Sequence, residues 1–161
     1  MPNTPSIFDY EKPLPDKKLS ERSKQLLGFD VRYTRIHDQL QLLLRLNELS
    51  IWSMKYHGSR LPICSLIADH YPFVIFHGDV GTGKSSTAEC IANRIVSDSK
   101  AEDSILFKLS NRVRGSGRVG EMGTLLAEAF SKISQSIGKT RRAVLIIDEG
   151  DSLAATRTQE H

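Results

Sequence analysis

Gly78-Asp79-Val80-Gly81-Thr82-Gly83-Lys84-Ser85 fits the phosphate-binding loop pattern G-x-x-x-x-G-K-[ST] at each fixed position. The residue types follow from the ligand. A triphosphate carries several negative charges, so the chain must wrap it closely with backbone N–H donors. Glycines such as Gly81 and Gly83 permit that approach and the positive φ it often needs. All eight residues, Gly78, Asp79, Val80, Gly81, Thr82, Gly83, Lys84 and Ser85, are therefore candidates for nucleotide binding, with Ser86 beside them in the turn that follows. Lys84 has the reach and charge for the β- and γ-phosphates and is a catalytic candidate for that reason. The Ser85 hydroxyl suits Mg²⁺.

The flanks of the loop agree with this reading. Phe73-Val74-Ile75-Phe76 is an apolar run expected to form the first core strand, after Pro72. Behind the loop, Ala88, Ile91, Ala92, Ile95 and Val96 recur at helical spacing. The loop thus opens a helix whose N-terminus favours anions. Further on, Ala143-Val144-Leu145-Ile146-Ile147 is a continuous apolar run, expected for a strand covered on both faces, and it ends in Asp148-Glu149. An aspartate after four aliphatics, C-terminal to a phosphate loop, reads as the second nucleotide motif (144–149) at the carboxyl edge of the sheet. Asp148 is the candidate to hold Mg²⁺, through water. Glu149 is the candidate base that orients and polarises the attacking water. A pair of solvated carboxylates at a strand end is the plainer alternative. No Asn-Lys-x-Asp base-reading segment of a GTPase is present.

Residues 1 to about 16, with Pro2, Pro5, Pro13 and Pro15, are expected to form a flexible arm. A first helix is expected over 17–27. Gly28, Phe29 and Asp30 then interrupt, and a second helix follows over 33–56. Its buried face comprises Ile36, Leu40, Leu43, Leu44, Ile51 and Met54, with Trp52 as core or subunit contact. Gly58 and Pro62 bracket a turn. Ile105–Leu109 reads as a strand, 111–120 as a loop carrying Arg112, Arg114 and Arg118, and 122–137 as an amphipathic helix. Met122, Leu125, Leu126, Ala129, Phe130, Ile133 and Ile137 lie on one face of it, and Gly138 ends it. Alternation of strands and helices predicts an α/β, three-layer domain with a parallel sheet and right-handed crossovers, preceded by a helical N-terminal segment. The expected division is an arm and first helix over 1–25, followed by a nucleotide-binding unit over 26–161.

Composition narrows the class without choosing the partner. With 161 residues, 39% hydrophobic and 25% charged, the chain is long enough for one domain with a real core. A net charge of +3 is too mild to argue for nucleic acid by itself. Cys64 and Cys90 supply no disulfide framework, and Cys90 is expected as a buried thiol. The N-terminus resembles no signal peptide, and Arg60, Asp69 and His70 break the only long apolar candidate. A cytoplasmic location with no membrane contact is the expectation.

Leu145-Ile146-Ile147-Asp148-Glu149-Gly150-Asp151-Ser152-Leu153-Ala154-Ala155-Thr156-Arg157 resembles the second motif of AAA+ ATPases, hhhhDE-x-(D/E)-S-L with a later Arg. The segment 116–130 is similar to the stretch after the second AAA+ strand. There Arg118 stands where the family has a pore-loop aromatic, with Val119 and Gly120 in register. Leu27-Gly28-Phe29-Asp30 resembles the AAA+ motif lining the adenine pocket, which adds Gly28 and Phe29 to the nucleotide-binding candidates. Within AAA+ proteins, the run after Asp148 is similar to the pachytene-checkpoint type, which remodels HORMA-domain proteins. Bacterial relatives of that type are associated with nucleotide-signalling defence against phage. The resemblance, over roughly 26–161, implies P-loop NTPase architecture, Mg²⁺-dependent ATP hydrolysis and a protein substrate. It also implies assembly of the full-length form into a ring, expected to be a hexamer.

Two departures qualify that transfer. Arg118 cannot grip polypeptide as an aromatic would. With Arg112 and Arg114 it suits an acidic segment or nucleic acid, or forms a solvated basic loop. The sensor-1 strand, arginine finger, sensor 2 and lid of the family also lie beyond His161, so an incomplete AAA+ module is expected. A DNA-associated loader or initiator, with nucleic acid as the less favoured partner, and a non-hydrolysing nucleotide-binding module are the alternatives.

Overall fold

Three strands, Phe8–Leu14 (β1), Ser104–Leu109 (β2) and Ala143–Ile146 (β3), form a sheet in the order β1-β2-β3. The structure is a computed structural model and describes residues 6–68, 72–99, 103–110, 121–137 and 142–148. Six helices accompany the sheet among these residues: Lys17–Gln25 (α1), Phe29–Leu44 (α2), Leu46–His57 (α3), Pro62–Ala68 (α4), Lys84–Asp98 (α5) and Glu121–Ile137 (α6).

β2 separates two apolar clusters because its side chains alternate between faces. Leu106 points to the cluster made with Ile91, Ile95 and Val96 of α5, Leu19 of α1, and Phe29 and Tyr33 of α2. Phe107 and Leu109 point the other way, to Leu125, Ala129 and Ile133 of α6 and to Phe8 of β1. β3 divides likewise, with Val144 and Ile146 on the α5 side and Leu145 and Ile147 on the α6 side. The result is the expected three-layer α/β/α arrangement. The sheet, however, is mixed. β2 and β3 are parallel, with Lys108 opposite Ile146, whereas β1 runs antiparallel to β2, with Tyr10 opposite Lys108.

β1 corrects the expectation of a flexible arm over its residues. Phe8 and Leu14 are buried at either end, Ile7 is buried beside them, and Asp9 and Glu11 between them face outward. The Phe8 and Phe107 rings lie 5.0 Å apart. Pro13 is tolerated because β1 is an edge strand of the described sheet. Prolines suggested an arm, but the anchoring comes from partners nearly a hundred residues away.

The opposite correction applies to Phe73–Phe76, which forms no strand. Its side chains do alternate: Val74 and Phe76 are half-buried, while Phe73 and Ile75 are exposed. A strand also needs a ladder, and no described strand supplies one.

The helix expected over 33–56 divides at Arg45, whose backbone (φ −114°, ψ 32°) leaves the helical region. The buried-face assignment fails in α3. Ile51 and Met54 are exposed there, and Ser53 is fully buried; Trp52 is exposed too, which excludes the core for it and leaves the subunit contact. Ser53 Oγ donates to Ser59 O at 2.8 Å and accepts from Leu61 N at 2.9 Å, fixing the turn into α4. Gly58 ends α3 in the left-handed region at φ 68°, and Pro62 occupies the first position of α4. In α6 the buried stripe is the i, i+4, i+8 set Leu125, Ala129 and Ile133, and Phe130 is exposed. The side chains of Leu43, Leu44 and Met122 lie outside the described set.

Candidate functional site

α5 is tied to the N-terminal segment before it meets the loop. Asp16 caps α1, its Oδ1 accepting from Leu19 N at 2.9 Å. Asn93, buried on α5, accepts from Asp16 N at 2.7 Å through Oδ1 and donates through Nδ2 to Asp16 O and Ser20 Oγ. Its amide is thereby satisfied by one helix entrance. Nearer the start of α5, the buried Glu89 accepts from the Tyr10 hydroxyl at 2.6 Å and pairs with Arg22 at 3.5 Å. Burial, and then the bond to Glu89, raise the Tyr10 hydroxyl well above the usual tyrosine range. Cys90 lies in the core as expected, and burial raises its thiol.

This scaffold presents the Gly78–Ser85 loop at the N-terminus of α5. Gly81 and Gly83 take left-handed φ values of 82° and 79°, where a side chain is strained. A Cβ at either would meet nothing within 4 Å, so backbone conformation and not crowding calls for glycine there. Gly83 is the N-cap of α5 and supplies no side-chain cap. The first-turn amides are consequently left for another acceptor, the donor set an anion requires. Lys84 Nζ donates to Gly78 O and Asp79 O, each at 2.7 Å. Thr82 Oγ1 donates to Asp79 O at 2.9 Å, and Val80 is almost fully exposed at the tip.

The two motifs meet. Ser85 Oγ donates to Asp148 Oδ1 at 2.5 Å, joining positions 63 residues apart. Asp148 follows β3, and its other oxygen, Oδ2, pairs with Lys108 Nζ at 2.8 Å. Among the described residues no group of three or more His, Cys, Asp or Glu side chains could hold a metal alone. One hydroxyl and one carboxylate beside a loop of N–H donors suit Mg²⁺, which keeps several waters and takes further oxygens from phosphates.

Other expected positions divide three ways. Ser86 accepts from Arg22 Nη2 at 2.8 Å, so its hydroxyl is engaged by α1. Gly28 adopts φ 69° between α1 and α2. Phe29 is buried and stacked on Tyr33, with centroids 6.1 Å apart, so its ring is a core element here. Glu149, Arg118, Val119 and Gly120 lie outside the described residues. Arg22, Glu89 and Lys108 belong to no motif and were not among the expected site residues. Lys108 did leave a signal, a charge interrupting the apolar run of β2.

A three-layer domain with this loop at a helix entrance is a nucleotide-binding architecture, and the comparison with known families narrows it. Residues 74–161, more than half of the chain, match the ATPase family associated with various cellular activities (AAA), and the chain belongs to that family. CD-NTase-associated protein 6 of Escherichia coli strain KTE188 is 63% identical over 156 residues, which cover 97% of this chain and 52% of that protein. The pachytene checkpoint protein 2 homolog of Oryza sativa subsp. indica is 33% identical over 87 residues, 52% of this chain and 18% of that protein. Among solved structures, a chain of the E. coli MS115-1 HORMA:CdnC:Trip13 complex superposes with a TM-score of 0.74 at 31% identity, covering 98% of this chain and 55% of that one. The resemblance to the pachytene-checkpoint type is therefore upheld. The chain spans about half the length of the bacterial relatives it matches, so a partial AAA module is what the 161 residues represent.

Proposed function

We propose that this chain binds ATP with Mg²⁺ and forms the nucleotide-binding part of an ATPase that remodels a HORMA-domain protein. The observation that carries the reading is the Ser85–Asp148 hydrogen bond, which brings the phosphate loop and the second motif to one point. The loop amides and Lys84 bind the phosphates. Ser85 and Asp148 are the residues that would hold the metal. Mg²⁺, when bound, supplies the positive charge that offsets charge developing on the transferred phosphoryl group. Glu149 accepts the proton of the attacking water and orients it.

The partner follows from likeness. The relative from strain KTE188 is named for association with a CD-NTase, and the solved relative was captured in a complex with HORMA and CdnC. We extend the same partner class, assembly into a ring and a role in antiviral defence to this protein. Arg118, Val119 and Gly120 are the proposed contact with the remodelled chain. Among the described residues no helix is long and apolar enough to cross a membrane, and we place the protein in the cytoplasm.

Glu149→Gln tests the catalytic assignment. The expected result is nucleotide binding within about twofold of the starting protein and turnover reduced at least ~100-fold. Unchanged hydrolysis would remove Glu149 from the mechanism. Pull-down of a HORMA-domain protein by the Glu149→Gln form, dependent on ATP, tests the partner.

A further inference from the structure

Lys108 occupies an unusual place. β2 alternates Ser104, Leu106 and Lys108 towards α5, and Ser104 and Leu106 are buried. A lysine on this face lies beside the core, and its side chain is only 18% exposed. Its cross-strand neighbours are Tyr10 and Ile146, and Nζ lies 6.0 Å from the centre of the Tyr10 ring. The stem is thus walled by two strands and the ammonium is directed to one carboxylate, Oδ2 of Asp148. Because strand side chains repeat every second residue, Asp148 falls on the face of Ile146, opposite which Lys108 stands.

We propose that Lys108 is a positioning residue of the candidate metal site, orienting Asp148 towards Ser85 while raising the divalent-cation concentration the site requires. The inference rests on the ATPase reading above. With Ser85 on Oδ1 and Lys108 on Oδ2, the carboxylate cannot rotate without losing a bond. Any cation approaching Asp148 also meets a fixed positive charge on the same carboxylate. Like charges a few ångströms apart oppose binding even when partly screened. A lysine whose charge solvent and ions screened fully would leave metal affinity unchanged.

The test is a Mn²⁺ titration followed by electron paramagnetic resonance, at saturating imidodiphosphate analogue of ATP, so that bound metal is counted without turnover. Lys108→Met is expected to lower the half-saturating Mn²⁺ concentration about three- to tenfold, the scale of a partly exposed charge contact. Lys108→Arg, which keeps the charge, should stay within about twofold. In an Asp148→Asn background the fixed charge of Lys108 remains beside the site, so adding Lys108→Met should again lower the half-saturating concentration. If Lys108→Met does not fold, Lys108→Gln is the neutral replacement judged by the same criterion. Unchanged or weaker metal binding in the neutral variant overturns the proposal. Absence of Mn²⁺-dependent analogue binding in the unsubstituted protein instead overturns the ATPase reading, and this inference with it.

Discussion

Asn93 holds both polar groups of the Asp16 peptide unit, accepting from its N–H at 2.7 Å and donating to its carbonyl at 3.2 Å. This pair locks the entrance of α1 to the middle of α5, seventy-seven residues away, and α5 is the helix that carries the phosphate loop. Asn93→Ala would leave the Asp16 N–H without its acceptor in a part-buried site. The expected loss is about 2–3 kcal/mol, a fall in Tm of about 5–10 °C for a chain of this size. Denaturant unfolding measures it.

Lys84 donates only to backbone oxygens of its own loop, so its removal should leave the fold intact. Lys84→Ala is expected to change stability by less than about 0.5 kcal/mol. ATP affinity should fall about 10- to 100-fold, the worth of a lost charge-assisted contact. Calorimetric titration with ATP and Mg²⁺ checks the binding, and a thermal melt checks the fold.

β1 gives a direct test of the ordered N-terminal segment. Phe8 packs on Phe107, which is fully buried, and on the α6 side of the sheet. Phe8→Ala should cost about 3–4 kcal/mol through lost burial and the cavity left behind. A change below about 0.5 kcal/mol in urea unfolding would mean that the strand is not seated as described.

Two tyrosines make stability fall in alkali. The Tyr10 and Tyr33 hydroxyls are raised above the usual value of 10.0, first by burial and then by hydrogen bonds to Glu89 and Asp98. The folded protein therefore keeps protons that the unfolded chain releases. This contribution is fully present below about pH 10 and is lost as pH rises above it. Unfolding free energy measured between about pH 9 and 11 should decline, and a Tyr10→Phe/Tyr33→Phe double variant should show a flatter decline.

The phosphate loop, the helix behind it and the acidic end of β3 were legible in the sequence because each is a local pattern. Glycine spacing, the helical period from Ala88 to Val96, and four aliphatics before Asp148 all report on neighbouring residues. Features missed were of another kind. Phe8–Leu14 carries a proline and three charges and becomes a strand only because β2 offers it a ladder. Phe73–Phe76 has the apolar alternation of a strand and no described ladder beside it. Ile51 and Met54 have helical spacing, yet the face they occupy is exposed.

The local chemistry of the chain was therefore determined by sequence alone: which loop can wrap phosphate, which hydroxyl and carboxylate suit a metal, and which residues can bury. Tertiary structure decided which of these meet. Ser85 reaches Asp148 because β3 lies parallel to β2 and delivers its end to the start of α5. Lys108 reaches the same carboxylate because β2 pairs in the register that sets it opposite Ile146. Register and strand order come from contacts between residues tens of positions apart, and no local pattern encodes them.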